Sequence, residues 1–152
     1  MAAPQFGVAE AGRAYPDRPA AFVLVLHEGR LACVRVAWRR GGPKIDLPGG
    51  GIDPGETPAA AAARECGEEA GLKVSVPGEP FAAADHYFIN DLDQTNNTRG
   101  VFYEGRLDGF APELKIEHDH TLLWIDPLEA LRVLDRDSHA WAVAAWLRRG
   151  QS

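Results

Sequence analysis

The chain has 152 residues, of which 45% are hydrophobic and 25% are charged, the balance of an ordinary globular protein. This length suits one domain and excludes a second core of useful size. The net charge of −6 at pH 7 argues against general binding to nucleic acids, because an acidic surface repels a phosphate backbone. An anionic ligand therefore requires local compensation, and a metal ion is the first candidate.

Cysteine usage and the N-terminal sequence bear on the compartment. The two cysteines, Cys33 in a predicted strand and Cys66 in a predicted helix, are interpreted as small buried hydrophobic residues. Residues 1–15 lack the basic start and apolar run of a signal peptide, and no stretch approaches the ~18 apolar residues of a membrane helix. These features predict a cytoplasmic protein with no membrane partner.

The first third of the chain predicts an N-terminal arm followed by a β-hairpin. Residues 1–19 have no hydrophobic period, which indicates a loose arm or an edge element, and residues 20–150 form the predicted domain. The apolar run at residues 20–26 is typical of a strand buried on both faces. The hairpin turn, the second strand and a short extended segment are predicted at residues 27–30, 31–38 and 45–47.

A glycine-rich loop at residues 48–55 leads into a helix predicted over residues 58–70. Thr57 is placed to cap the helix, Pro58 suits its first position, and Gly71 is a natural C-terminal stop. Five consecutive alanines favour the helix itself.

The second half of the chain predicts further strands and two closing helices. A polar loop or hairpin tip is expected at residues 90–98. Strands are predicted at residues 72–76, 83–89, 100–107 and 121–125, and helices at 127–134 and 138–149. The chain is therefore predicted to be a single α/β unit.

Three glutamates on the central helix carry the first functional signal. Glu65, Glu68 and Glu69 are spaced i, i+3 and i+4, so they project from one helix face. Such clustered like charges destabilise a bare helix and indicate a compensating cation. Oxygen ligands suit hard ions, with Mg²⁺ first and Mn²⁺ second, and a partial set of protein ligands leaves positions for water and phosphate oxygens.

The glycine loop supplies the second signal. Its three consecutive glycines, residues 49–51, allow the backbone to pass close to a ligand, and a carbonyl of this turn is a candidate metal ligand. Glu56 just precedes the helix and Arg64 lies two turns inside it. A pairing between these two side chains is predicted to fasten the loop to the helix and to offset part of the carboxylate charge.

The segment from Gly50 to Leu72 resembles the Nudix box, G-x5-E-x7-R-E-U-x-E-E-x-G-U, in which U is apolar. All seven fixed letters are present, and Cys66 at the first U is a mild departure that should not affect metal binding. A chance match is on the order of 10⁻⁸ per starting position at average residue frequencies. The strand order also resembles the family, which implies an α/β/α sandwich with a mixed central sheet.

The resemblance implies a role for each residue of the box. Glu65 and Glu69 are expected to be the principal metal ligands, Glu68 to join them or to activate water, and the carbonyl of Gly49 to add a ligand. The remaining members, expected to act as a structural pair beside the catalytic groups, are Glu56 and Arg64.

Family members often supply a further acid from a loop beyond the box. Glu117 and Asp119 are the candidates here, and Glu117 is preferred. His118 and His120 lack a matched partner pair for zinc, although either could line the active site near Glu117.

The resemblance implies a metal-dependent hydrolase that cleaves the pyrophosphate linkage of a nucleoside di- or triphosphate, or of a nucleoside diphosphate linked to another group. Water is the expected nucleophile, with Glu68 or the loop acid as general base. Two alternatives are a non-catalytic nucleotide-binding regulator and an isomerase of prenyl diphosphates. The partner is predicted to be a nucleotide-like small molecule, and exchange of the arm is one route to a homodimer.

Overall fold

The central sheet joins strands from both halves of the chain. A computed structural model describes residues 2–150. In this part of the chain the strands are β1 (Gln5–Phe6), β2 (Asp17–His27), β3 (Arg30–Val36), β4 (Lys44–Asp46), β5 (Gly49–Gly51), β6 (Leu72–Ser75), β7 (Ala82–Ile89), β8 (Thr95–Phe110) and β9 (His120–Ile125). The helices are α1 (Pro58–Ala70), α2 (Pro127–Val133) and α3 (Asp137–Arg149), with a 3₁₀ turn at Pro112–Leu114.

The sheet is mixed, as predicted. Its main path runs β1-β7-β8-β2-β3-β4, while β5 pairs with β2, β6 with β8 and β9 with β3. The pairs β1–β7 and β2–β8 are parallel, and the others are antiparallel. The glycine loop is thereby attached to the central strand β2.

The two faces of β2 explain the layers. Ala20, Phe22 and Leu24 pack towards one core with side chains of α2 and α3, whereas alternate residues of the strand pack towards α1. A strand buried on both faces has no polar alternation, which is why its sequence is one apolar run. Helices on both faces of a mixed sheet make an α/β/α sandwich, and the predicted fold class is confirmed.

The predicted β2–β3 hairpin is confirmed, but its two strands pair with each other over a short length only. Glu28 and Gly29 both have positive φ, as a two-residue hairpin turn requires. Only two residue pairs join the strands before they separate, since β2 continues beside β8 and β5 while β3 pairs with β4 and β9. The prediction that this strand reaches Trp38 was wrong, because β3 ends at Val36.

The first residues of β8 and β2 also differ from the prediction, because pairing with distant strands lengthens both strands. The polar segment predicted as a loop at residues 90–98 is a shorter tip at residues 90–94, and β8 already begins at Thr95. Its first residues, though polar, pair with both β7 and β2. Strand β2 begins at Asp17 instead of residue 20, because its first residues pair with Asn97 and Thr98. Backbone pairing overrides side-chain polarity at both places.

Helix α1 has the predicted ends. The side chain of Thr57 accepts a hydrogen bond from the backbone N–H of Ala60, and Pro58 is the first helical residue. Gly71 closes the helix with a left-handed backbone, φ 69°, and donates its N–H to the carbonyl of Gly67. Gly71 directly precedes Leu72, the first residue of β6, so the end of α1 lies next to the start of this strand.

Within residues 2–150, none of the helices is both long and apolar enough to cross a membrane. The two cysteines, Cys33 in β3 and Cys66 in α1, are free and buried, as predicted.

Candidate active site

The glycine loop is shaped by its contact with β2. Gly49, Gly50 and Gly51 pair with Phe22, Ala21 and Ala20. Gly49 has a φ of 149°, and a Cβ at this position would lie 2.3 Å from the carbonyl oxygen of Ala21. A side chain therefore does not fit, and the glycine is required by both backbone angle and space.

Arg64 holds a network of carboxylates on the outer side of α1, here called the Arg64 network. Its Nε and Nη2 donate to Glu56 at 2.7 and 2.9 Å, and its Nη1 donates to Glu65 and Glu68 at 3.1 Å each. Nη2 also donates to the carbonyl of Gly51 at 3.2 Å. The predicted pairing of Glu56 with Arg64 is confirmed, and it fastens the glycine loop to the helix.

The Arg64 network keeps Glu56 charged. The hydrogen bonds from Arg64 and from the backbone N–H of Asp53 lower the pKa of Glu56 to about 2. In return, the hydrogen bond to Glu56 and the neighbouring Glu65 raise the pKa of Arg64. The ion pair of Glu56 with Arg64 is therefore a charged link between the glycine loop and the helix.

Glu69 lies on the inner side of the same helix and has different partners. One carboxylate oxygen accepts the backbone N–H of Gly49 at 3.0 Å, and the other lies 3.1 Å from Nε2 of His120. His120 begins β9, and its Nδ1 lies 2.9 Å from Asp119. A histidine from a distant strand thus reaches a glutamate of the box.

The loop before β9 is fixed to the end of α1 by backbone hydrogen bonds. The N–H groups of Ile116 and Glu117 both donate to the carbonyl of Glu68, each at 3.0 Å. This anchor places Glu117 beside the helix glutamates, and the side chain lines the same cavity as Glu65 and Glu69.

The pKa values of the inner carboxylates are shifted in the opposite direction to that of Glu56. Burial and the charge of Glu69 raise the pKa of Glu65 to about 7, and burial also raises the pKa of Glu69. Burial lowers the pKa of His120, but the hydrogen bonds and charges of Glu69 and Asp119 outweigh it and raise the pKa to about 9. The inner site therefore has acids whose charge the protein only partly compensates.

A cavity of about 670 Å³ opens in front of these inner residues. Its lining includes acidic and loop residues: Gly49, Gly50, Glu65, Glu69, Glu117 and His120. It also includes aromatic and polar side chains: Trp38, Asp46, Phe88, Asn90, Asn96 and Arg136. Arg18 also lines the cavity, and its Nη2 would lie 3.0 Å from a Cβ placed on Gly51. Such a volume suits a small-molecule ligand.

The structure divides the predicted site residues into two groups. Gly49, Glu65, Glu69 and Glu117 line the cavity together. Glu68, Glu56 and Arg64 belong to the Arg64 network and are not among the residues that line it. Asp119 is exposed and pairs with His120.

The metal-binding geometry also extends beyond the box. In residues 2–150, one group of at least three side chains has its potential ligand atoms all within 4.8 Å of one another: Glu117, Asp119 and His120. The three helix glutamates do not form such a group in this part of the chain. The sequence indicated His118 and His120 equally as residues near Glu117. In the structure His120 contacts Glu69, whereas His118 is exposed.

Sequence reasoning missed part of the lining of the cavity. Asp46, Phe88 and Arg136 come from β4, β7 and the residue before α3, and no spacing in the sequence connects them. The one available signal was an aspartate within an otherwise buried extended segment, since a buried acid requires a partner.

A mixed sheet between two helical layers, with buried acids beside a glycine loop, defines an α/β/α protein with an acidic ligand cavity. The NUDIX domain matches residues 16–147 of the chain. The chain therefore belongs to the NUDIX family, and the predicted resemblance to MutT-like Nudix hydrolases is confirmed at the level of family and hydrolase class.

Similar proteins support this assignment. A putative 8-oxo-dGTP diphosphatase of Bacillus subtilis is 43% identical over 79 residues, which is 47% of this chain and 52% of that protein. An RNA pyrophosphohydrolase of Agrobacterium fabrum is 31% identical over 136 residues, or 83% of this chain and 77% of that protein. The fold matches the crystal structure of a MutT protein from Methanosarcina mazei Go1 with a TM-score of 0.72 at 18% identity, covering 93% and 100% of the two chains.

Proposed function

We propose that this chain is a metal-dependent hydrolase that cleaves a pyrophosphate linkage in a nucleotide. The observation that carries the proposal is the set of inner carboxylates, Glu65, Glu69 and Glu117, around one cavity. Two of them have a pKa raised by burial, so their ionised forms lack full compensation by the protein. A divalent cation supplies the missing positive charge.

The donor set fits a hard divalent ion. Glu65 and Glu69 would hold Mg²⁺ or Mn²⁺, with the backbone at Gly49 as a further oxygen source. Gly50 leaves this space open, because a Cβ there would lie 3.0 Å from the carboxyl carbon of Glu65. When bound, the ion would neutralise phosphate charge and make a water molecule more acidic.

The protein's own residues would complete the chemistry. Arg18 lines the cavity and is placed to neutralise a phosphate oxygen. Glu117 lines the cavity and is the preferred general base, whereas the carboxylate of Glu68 is occupied by Arg64. The Arg64 network would hold the glycine loop and α1 in register during the reaction.

The substrate class is supported by the relatives. The two curated relatives are described as acting on 8-oxo-dGTP and on the pyrophosphate of RNA, so both act on phosphoanhydride bonds of nucleotides. We propose a nucleoside di- or triphosphate, or a nucleoside diphosphate linked to another group, for this chain. A cytoplasmic location and a homodimer stay predictions, and the pairing of β1 with β7 places the arm against its own chain.

The two alternatives are less well supported. A prenyl diphosphate isomerase of this fold would require a reactive cysteine, but burial raises the pKa of Cys33 and of Cys66 to about 12. A regulator that only binds nucleotides has little use for several buried acids lining one cavity.

The proposal is tested with purified protein and a panel of nucleoside di- and triphosphates. Release of phosphate and pyrophosphate is measured with Mg²⁺, with Mn²⁺ and with EDTA. We expect turnover of at least one nucleotide with either ion and none above background with EDTA. Equal turnover in EDTA would refute metal dependence, and binding without hydrolysis under all three conditions would favour the regulator.

A further inference from the structure

One histidine of α3 is buried with one ring nitrogen paired and the other unpaired. His139 is 1% exposed, and its Nε2 is one of three buried side-chain polar atoms in residues 2–150 that have no hydrogen-bond partner. Its Nδ1 accepts the backbone N–H of Leu47 at 3.1 Å. A neutral imidazole has one donor and one acceptor nitrogen, so this hydrogen bond places the ring proton on Nε2. Because an unpaired buried N–H costs free energy, the useful polar group of this side chain is the acceptor.

The surroundings of His139 keep its ring neutral. The ring centre lies 4.4 Å from that of Phe22 and 5.7 Å from that of Phe102, and both of these residues belong to the core beside α3. Burial, and then the nearby Arg136 and His86, lower the pKa of His139 well below its ordinary value. Nδ1 is therefore available as an acceptor at neutral pH.

Leu47 needs this acceptor because it lies between two strands. It follows Asp46, the last residue of β4, and precedes Pro48 and Gly49, where β5 begins. The backbone pairs of β4 and β5 do not include Leu47, and the residue is buried. A buried N–H outside the sheet ladder requires another partner. His139 supplies that partner across 92 positions of the chain.

The hydrogen bond lies two residues before the proposed metal site. Pro48 separates Leu47 from Gly49; the ring of the proline fixes its φ, and its carbonyl accepts the N–H of Val23 at 3.0 Å. The N–H of Gly49 donates to Glu69 at 3.0 Å. Three partners, on α3, β2 and α1, therefore fix the chain that leads into the glycine loop.

The junction between α2 and α3 also holds the preceding strand. The carboxylate of Asp135 accepts the N–H of Ile45 at 2.6 Å, and the N–H of Asp135 donates to the carbonyl of Ile45 at 2.9 Å. Nε of Arg136 lies 3.5 Å from Oδ1 of Asp46. These contacts fasten β4, whereas His139 holds the first residue beyond it. The contact of His139 is therefore the one nearest to the glycine loop.

We propose that His139 is a positioning residue, which fixes the backbone of Gly49 for metal binding by holding the N–H of Leu47. The inference rests on the proposed function, in which Gly49 is the backbone oxygen source for the cation. His139 does not line the cavity, so its effect passes through the chain that it holds. Ligands work when they are held within about 0.5 Å of the productive geometry. Groups that orient metal ligands from behind typically change metal affinity or activity by about 10- to 100-fold.

The first experiment compares two substitutions of nearly equal shape. His139→Asn keeps a side-chain acceptor near the position of Nδ1, whereas His139→Leu has the same branching and no acceptor. The affinity for Mn²⁺ is measured without nucleotide by electron paramagnetic resonance. We expect the Kd to rise about 10-fold in His139→Leu and to stay within about 3-fold of the wild type in His139→Asn. Equal Kd values in the two variants would overturn the proposal.

The matched control is Asp135→Ala, which removes an N–H acceptor from the same segment, but at Ile45. Its Tm should fall, while its Kd for Mn²⁺ should stay within about 2-fold of the wild type, since the change lies farther from Gly49. A purely structural role of His139 would instead make the Kd follow Tm in all three variants. That result would contradict the positioning role.

A measurement on the wild type does not depend on the folding of any variant. In the isotopically labelled, metal-free protein, NMR should detect a scalar coupling across the hydrogen bond between the N–H of Leu47 and Nδ1 of His139, with the ring proton on Nε2. Saturating Mg²⁺ should shift both resonances, because the same backbone leads to the metal ligand. A proton on Nδ1, or resonances that Mg²⁺ leaves in place, would count against the inference.

These measurements separate the inference from the proposed function. Nucleotide hydrolysis together with equal Mn²⁺ affinity in His139→Leu and His139→Asn would retain the hydrolase and reject the positioning role. Different Mn²⁺ affinities without hydrolysis of any nucleotide would support the positioning role and reject the hydrolase.

Discussion

On the outer side of α1, Arg64 satisfies Glu56 and Glu68 and lowers the pKa of Glu56 to about 2. On the inner side, Glu69 meets one backbone N–H and one histidine, and burial raises its pKa. Glu65 contacts both regions, with a hydrogen bond to Arg64 but a pKa raised to about 7. Carboxylates a few residues apart on one helix therefore have opposite electrostatic environments.

These two environments indicate different roles for the two sides of α1. The outer carboxylates accept hydrogen bonds from Arg64, so their charge contributes to holding the loop on the helix. The ionised forms of the inner carboxylates are only partly compensated by the protein, and an external cation would complete the compensation. We therefore expect outer substitutions to affect mainly stability and inner substitutions to affect mainly turnover.

The largest expected effect comes from Glu69→Gln. Loss of an inner carboxylate should lower kcat/KM by about 100-fold or more, because a metal ligand supplies several kcal/mol of transition-state stabilisation. Nucleotide hydrolysis in Mg²⁺ measures the effect.

The comparison variant is Glu68→Gln, which makes the same chemical change in the Arg64 network. Its kcat/KM should fall by about 10-fold or less, since Glu68 does not line the cavity. A larger loss in Glu68→Gln than in Glu69→Gln would reverse the division between the two regions.

The glycine loop provides the next test. In Gly49→Ala the new Cβ would lie 2.3 Å from the carbonyl oxygen of Ala21, at a φ of 149°. We expect a loss of about 3 kcal/mol in the free energy of unfolding, or roughly 8 °C in Tm. Gly55→Ala is the control, because Gly55 also has positive φ, at 79°, but open space around its Cβ position. It should cost about 1 kcal/mol, and equal costs would show that space plays no part.

Removal of the arginine tests the outer region. Arg64→Ala leaves Glu56, Glu65 and Glu68 without their shared donor. Tm should fall by about 5 °C, because partly buried carboxylates repel one another once the cation is gone. Arg132→Ala, which removes a solvent-exposed pair with Glu129, should change Tm by less than about 2 °C. Thermal unfolding followed by circular dichroism measures both.

The smallest expected effect is a pH dependence of stability in the inner region. A pKa of about 7 for Glu65 and about 9 for His120 exceeds the ordinary value of each group. Each group therefore stabilises the fold below its ordinary pKa, and this contribution is lost as pH rises through the raised value. In EDTA, Tm should fall by about 3 °C between roughly pH 5 and pH 9.

Saturating Mg²⁺ should reduce this fall, since the ion binds the ionised carboxylates and stabilises the folded state. The pH dependence of stability has the opposite sign in the outer region. Stabilisation from Glu56 is present above its ordinary pKa and is lost as pH falls towards about 2. A Tm in EDTA that rises with pH above neutrality would contradict the environment assigned to Glu65 and His120.

Local signals in the sequence predicted much of this molecule. The caps of α1 at Thr57 and Gly71, the buried strand β2 and the pairing of Glu56 with Arg64 all depend on short spacings, and all are confirmed. The family resemblance extended these signals to the layers of the fold. Glu117 was chosen from the sequence and lies in the cavity with the helix glutamates.

Long-range pairing determined what the sequence did not predict. The early separation of β2 from β3 and the polar start of β8 depend on which distant strands compete for each edge. The meeting of Asp46 with Arg136 joins residues that are 90 positions apart, and His120 reaches Glu69 across 51 positions. Neither contact follows from helical or strand periodicity, which reports only on neighbours.

The loop that carries Glu117 is tied to α1 through the carbonyl of Glu68, to which two of its N–H groups donate. A carbonyl is present in every residue, so this attachment is indifferent to which side chains the loop displays. Mutations can therefore replace the loop's side chains one by one while its path in front of the helix is preserved. The same scaffold can in this way acquire new substrates with little risk to its folding.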